Sequence, residues 1–256
     1  MNREIQTHSQ EAGGRSMSYR ELDQLQRQIH SRILAGGAGA LLLAEVNPVI
    51  TCGRRTVDSD ILLPEETLRT RGIDLFRTDR GGLATYHGPG QWILFPVERL
   101  EVLTGDSRGV RKAVEALLET ALEVAQKFDP EAKIEWGDRT GVWSRTGKYA
   151  SVGIHIERGV LLHGLALNVY RTPESFMGLR PCGLDVVPSF LAETVEWKAR
   201  SGWDQAPELR RLFAETGRHL VEVAGRRLSS KAEYQEALTP RKTCVKPDTS
   251  IPGIGA

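Results

Sequence analysis

Cysteine is scarce in this chain. Cys52, Cys182 and Cys244 are its only three in 256 residues, odd in number, far apart and never in a C-x-x-C pair, which excludes a zinc ribbon and a disulfide framework. Such usage points to a reducing cytoplasm, where a functional thiol stays free. Long apolar runs are missing too: the longest, around residues 38–46, falls far short of the roughly 20 residues a membrane helix needs. No membrane span is expected. Charge of either sign is not in excess, and a net charge of +1 gives no bulk attraction for nucleic acid. The polar start, residues 1–16, lacks the apolar core of a secretion signal. Phosphate-binding signatures also fail. Gly88-Pro89-Gly90 has no third glycine and precedes a strand pattern, so it is not a dinucleotide fingerprint. Residues 141–148 imitate a phosphate loop, but Tyr149 stands where Ser or Thr is required.

What is present is an ordinary globular composition, 40% apolar and 26% charged, in a chain long enough to bury a substantial core. Ser18 and Glu21 form a capping box, after which Leu22, Leu25, Ile29 and Ile33 recur at helical spacing until Gly36-Gly37. Residues 41–46 and 49–51 read as strands around Asn47-Pro48, Pro64 opens a short helix ended by Gly72, and residues 73–77 resume a strand. Further strands are expected at residues 83–86 and 92–97, on either side of the His87-Gly88-Pro89-Gly90 turn. A long helix follows, with Val110, Val114, Leu117, Ala121, Val124 and Phe128 on one face. Residues 134–136, 141–143, 149–156 and 160–170 then read as strands. A last helix carries Leu209, Leu212, Phe213, Leu220 and Val223.

Strands gathered in one stretch, with helices at its ends and one between, predict an α+β fold with a mixed β-sheet and flanking helices. Residues 1–17 are expected to be a flexible N-terminal arm, 18–238 the catalytic domain, its last helical part a small appendage, and 239–256 a disordered tail. His155 and His163 fall in predicted strands with no Cys or carboxylate at ligand spacing, and they read as hydrogen-bonded structural residues rather than metal ligands. No metal and no cofactor is expected.

Four segments stand out. They are Arg80-Gly81-Gly82-Leu83-Ala84-Thr85-Tyr86-His87-Gly88-Pro89-Gly90-Gln91, Gly147-Lys148-Tyr149-Ala150-Ser151-Val152-Gly153-Ile154-His155, His163-Gly164-Leu165-Ala166-Leu167-Asn168-Val169, and Arg180-Pro181-Cys182-Gly183. Through them, and over about residues 41–195, the chain closely resembles the octanoyl-[acyl-carrier-protein]:protein octanoyltransferases. The resemblance implies a biotin/lipoate ligase-like fold (class II synthetase-like), a mixed sheet with helices on one side. It also implies an acyltransferase that moves an octanoyl group from octanoyl-acyl carrier protein to a lysine of lipoyl domains, those of 2-oxoacid dehydrogenases and the glycine cleavage H protein.

Residue by residue, the resemblance makes Cys182 the acyl-thioester nucleophile and Lys148 its partner. A thiolate exchanges readily with a thioester, and an adjacent ammonium raises the thiolate fraction of a thiol whose pKa is ordinarily about 8.5. The same lysine, when neutral, can take a proton from the incoming amine. Arg80, Gly81, Gly82, Leu83, Ala84, Thr85, Tyr86 and His87, with Ser151, Val152, Gly153, Gly164, Leu165 and Ala166, become the acyl-substrate segments. Backbone N–H groups in one of these strands are expected to stabilise an oxyanion. Cys52 reads as a buried structural cysteine, and Cys244 lies in the tail. The family has small aliphatic residues and a glycine after the shared glutamine. Trp92, Ile93, Leu94 and Phe95 stand there in this chain, and a bulkier wall would shorten or reshape the acyl channel. Arg54, Arg55, Arg77, Arg80 and Arg180 fall in segments expected to surround the site, where they would either steer acidic protein partners or form an ordinary solvated face. Two other readings compete: an ATP-dependent lipoate or biotin-type ligase, which needs the lysine but not the cysteine, and a non-catalytic binder of lipoyl domains.

Overall fold

The computed structural model describes residues 4–8, 17–179, 187–194 and 206–228. Arg180, Cys182, Cys244 and the 239–256 tail lie outside them.

The expected capping box starts the first helix. In α1 (Tyr19–Leu34), Ser18 Oγ accepts from the Glu21 N–H at 3.2 Å, while Glu21 Oε2 accepts from the Ser18 N–H at 2.8 Å. Each reciprocal bond satisfies an N–H that the helix itself leaves open. The buried face of α1 carries Leu22, Ile29 and Ile33, three of the four apolar positions read from the periodicity.

A mixed sheet forms the centre. It is built from β1 (Glu4–His8), β2 (Ala40–Ala44), β6 (Gln91–Arg99), β10 (Val160–Asn168), β9 (Lys148–Glu157), β8 (Gly141–Trp143) and β7 (Lys133–Glu135), neighbouring one another in that order. β1 runs parallel to β2 and the remaining pairs are antiparallel. A smaller sheet orders β4 (Asp74–Arg77), β3 (Val49–Cys52) and β5 (Thr85–His87), with α2 (Glu65–Thr70) beside β4. This is the α+β, mixed-sheet architecture expected.

Alternation along the strands divides the apolar residues between two faces. Leu41, Leu43, Trp92, Leu94, Leu165 and Leu167 pack with α4 (Val110–Ala125) and α5 (Ala206–Arg227), whereas Leu42, Ile93, Phe95 and Leu162 pack with α1. Helices therefore cover both faces, not one. The almost unbroken apolar runs of β2 and β6 follow from that double burial. Two further expectations change. α5 is no appendage: Leu212, Phe213, Leu220 and Val223 are buried in the same cluster as α4, and Phe213 stacks on the Trp92 indole at 4.0 Å, 7° from parallel. Residues 4–8 of the expected loose arm form an edge strand, held by pairing with β2 rather than by burial of their own side chains. Among the described residues no helix is long and apolar enough to cross a membrane.

Candidate active site

Between the two sheets lies a cavity of about 300 Å³. Its floor exists because the facing side chains of β9 and β10 are small. Gly153 pairs with Gly164 and Ser151 with Ala166, and all four border the cavity. A Cβ on Gly164 would sit 2.1 Å from the Leu94 carbonyl oxygen, so the closest strand approach tolerates only glycine. The 80–84 loop and β5 form the roof. Exposed Arg55, Gly137 and Asp138 border the cavity where it meets solvent, and Tyr19, Phe95 and His163, none more than 3% exposed, border its covered side.

Thus Arg80, Gly81, Gly82, Leu83, Ala84, Thr85, His87, Lys148, Ser151, Val152, Gly153, Gly164, Leu165 and Ala166, distant in sequence, all line one cavity. Tyr86 does not. In β5 alternate side chains point to opposite faces, so Thr85 and His87 reach the cavity while the Tyr86 ring packs against Phe176 at 5.4 Å in the small sheet's own core. The expectation for Tyr86 as a substrate residue is corrected accordingly. Cys182 lies outside the described residues; of the described residues, Val187 and Ser189 pair with the cavity lysine, Lys148 N–H donating to Val187 O at 2.9 Å and Ser189 N–H donating to Lys148 O at 3.0 Å.

Lys148 begins β9, is only 6% exposed, and carries its Nζ 5.3 Å from the centre of the Trp143 ring. Gly141 makes room for it, since a Cβ there would lie 2.1 Å from Lys148 Cε. Arg80 has a different task from the one expected. Its guanidinium bonds Thr51 O (2.6 Å), Leu83 O (2.8 Å) and Gly81 O (3.1 Å), and at 7% exposure it clamps the loop to β3 rather than steering a partner. Arg54, Arg55 and Arg77 are exposed. The Gly81 N–H donates to Ile154 O at 2.9 Å and is not available to an oxyanion. Of the bulky stretch after Gln91, Phe95 alone borders the cavity; Trp92 and Leu94 face α4 and α5.

Two polar networks hold the site, and sequence reasoning assigned neither. In the first, Gln91 Nε2 donates to Asn168 Oδ1 (2.8 Å) and Tyr86 O (3.2 Å), and Asn168 Nδ2 donates to the carbonyls of Lys148 and Ser189, both at 3.2 Å. That orientation leaves Gln91 Oε1 as acceptor for His87 Nδ1–H at 2.6 Å. Burial, reinforced by the Arg80 charge, pushes His87 down to about 3, so its ring is neutral at physiological pH. In the second network, His163 adopts φ +59° and is fully buried. Its Nε2 lies 2.7 Å from Asp79 Oδ1, its Nδ1 lies 3.3 Å from the Tyr19 hydroxyl, and its backbone N–H donates to Gln26 Oε1 at 2.9 Å. The His163 hydrogen bond, helped by Arg27, holds the Asp79 carboxyl well below the usual carboxylate range, while burial lowers His163.

His155 Nε2 lies 3.6 Å from Asp79 as well. Both histidines therefore have a carboxylate neighbour, contrary to the sequence reading, because Asp79 comes from a distant segment. Asp79, His155 and Glu157 gather ligand-type atoms within 4.8 Å of one another, yet Arg27 already bonds Asp79 at 2.6 Å and Glu157 at 3.0 Å. An arginine cation fills that position. Cys52 is a buried free thiol, and burial pushes its pKa up, as suits a structural role.

A covered lysine at a narrow cavity, floored by glycine and alanine and bordered by apolar side chains, suits a flexible apolar chain whose reacting carbonyl stays near the amine. Comparison with known proteins agrees. Residues 18–184 match the family described as the lipoyl protein ligase A/B catalytic domain, and the chain belongs to that family. The octanoyltransferase of Maridesulfovibrio salexigens is 36% identical over 165 residues, which cover 64% of this chain and 75% of that one. That of Nitratidesulfovibrio vulgaris is 37% identical over 166 residues, covering 65% and 74%. The fold is similar to that of P. falciparum LipL1 in its complex with lipoate, with a TM-score of 0.56 at 12% identity over 94% of this chain and 75% of that one. Within its family the protein groups with the octanoyltransferases, and it is an acyltransferase.

Proposed function

We propose that the protein transfers an octanoyl group from octanoyl-acyl carrier protein, through a thioester on Cys182, to the lysine of lipoyl domains in 2-oxoacid dehydrogenases and the glycine cleavage H protein. The observation that carries this reading is the covered Lys148 at the small-residue cavity, with its backbone paired to Val187 and Ser189. In the first step the Cys182 thiolate attacks the donor's thioester carbonyl, the acyl–sulfur bond to the carrier breaks, and the carrier thiolate leaves with the proton that Lys148 gives up, which makes the lysine neutral. In the second, the acceptor lysine's neutral amine attacks the acyl-cysteine, an amide forms, and the Cys182 thiolate is released. Lys148 stabilises the thiolate in its charged form and takes the amine's proton in its neutral form. Neither step draws on ATP.

Intact-mass spectrometry after mixing with octanoyl carrier protein tests this. An added octanoyl mass is expected without ATP, is discharged by apo lipoyl domain, and is absent in Cys182→Ser. Strict ATP dependence, or transfer by Cys182→Ser at the parent rate, would overturn it.

A further inference from the structure

The covered side of the cavity is a wall of rings. Tyr19 stacks on His87 at 5.4 Å and 13°, and Phe95 stands edge-on both to Tyr19 (6.4 Å, 79°) and to His163 (5.4 Å, 82°). Three of the four are tied by polar bonds: Tyr19 to His163, His163 to Asp79, and His87 to Gln91. Moving any of these would leave a buried donor or acceptor unpaired. Phe95 is held by packing, in the apolar cluster that β2 and β6 share with α1. It is therefore the one ring in the wall that can be changed in size without breaking a hydrogen bond.

We propose that Phe95 sets the length of acyl chain this enzyme accepts, by closing the small-residue channel on its buried side. The inference rests on the acyl-transfer reading above. An apolar chain entering at the exposed rim crosses the floor of Ser151, Gly153, Gly164 and Ala166, and its terminal methyl meets the Phe95 ring. Phe95→Leu shortens that side chain and opens apolar space continuous with the channel. Each further methylene that finds room there raises kcat/KM about fourfold, the equivalent of about 0.8 kcal/mol of burial.

The test compares carrier protein loaded with octanoyl, decanoyl and dodecanoyl chains on the full-length parent and on Phe95→Leu, with acyl-enzyme formation followed by intact mass. The decanoyl-to-octanoyl ratio of kcat/KM is expected to rise in Phe95→Leu by between about fourfold, where one of the two added methylenes is accommodated, and about 16-fold, where both are, and dodecanoyl to gain no less. Ratios unchanged within twofold would overturn the assignment while leaving acyl transfer intact. Absence of acyl-enzyme from the parent with every chain would instead remove the underlying reading, and the assignment with it. Thermal melting checks that the variant is folded. If Phe95→Leu does not fold, Phe95→Met, close to leucine in volume but unbranched and better able to fill an irregular gap, is read by the same ratios with the same direction expected.

Discussion

Acidification will destabilise this protein over a window set by its buried histidines. His87 is held at about 3 in the folded chain against an ordinary 6.5. Between those values the unfolded chain binds a proton that the folded one refuses, so stability is complete above about pH 6.5 and falls as pH drops toward 3. The slope is about 1.4 kcal/mol per pH unit for one such group, or roughly 3 kcal/mol lost to His87 alone by pH 4.5. His163 and His219, also lowered by burial, act in the same direction. Asp79, whose folded pKa is depressed, adds its loss only below its ordinary value of 3.8, outside a titration stopped at pH 4.5. Urea unfolding of the parent and of His87→Gln from pH 7.5 to 4.5 isolates the contribution, because only the difference in slope is read. The parent should lose stability more steeply than His87→Gln by about 1.4 kcal/mol per unit below pH 6. Parallel lines would refute a neutral, buried His87.

Other substitutions probe the supports of the site. Gly141→Ala puts a methyl 2.1 Å from Lys148 Cε, and a lysine displaced by about 1 Å should cost roughly 100-fold in acyl-transfer rate; a rate within twofold of the parent would show that the lysine is not held there. Gln91→Leu keeps the volume but leaves His87 and Asn168 without their shared amide. Urea unfolding should show a loss of about 2–4 kcal/mol, and a loss under about 0.5 kcal/mol would mean that the His87–Gln91–Asn168 chain contributes little.

The long elements were legible because their burial is periodic. α1 buries three of the four residues that its apolar spacing selects, and α4 buries Leu117, Ala121 and Val124 of six while Val110 at its start is exposed; the apolar runs of β2 and β6 identified strands without saying that both faces are covered. Short elements gave no such signal. α3 (Leu100–Thr104), closed by Gly105 at φ +70°, spans barely more than one turn, and the strand expected at residues 83–86 is displaced to β5 because Arg80 clamps the preceding loop out of the ladder. At the site, the motifs identified the segments and not the duties within them. Thr85, Tyr86 and His87 are adjacent, yet one of the three faces away. Arg80 carries a charge that suggests a ligand, yet its partners are backbone carbonyls. Gln91, Asn168 and Asp79 acquire their meaning from residues 77 to 84 positions away, a relation no local pattern encodes. An amide immediately before the apolar run of residues 92–97 in β6 was the one available hint for Gln91.

The parallel pairing of β1 with β2 bears on how the protein is handled. β2 is the uniformly apolar Ala-Leu-Leu-Leu-Ala, and β1 shields its hydrogen-bonding edge. Trimming the first eight residues would leave that edge bare, an adhesive template for strands of other molecules. The short polar start thus acts as a guard against clumping, and tags are better placed ahead of it than substituted for it.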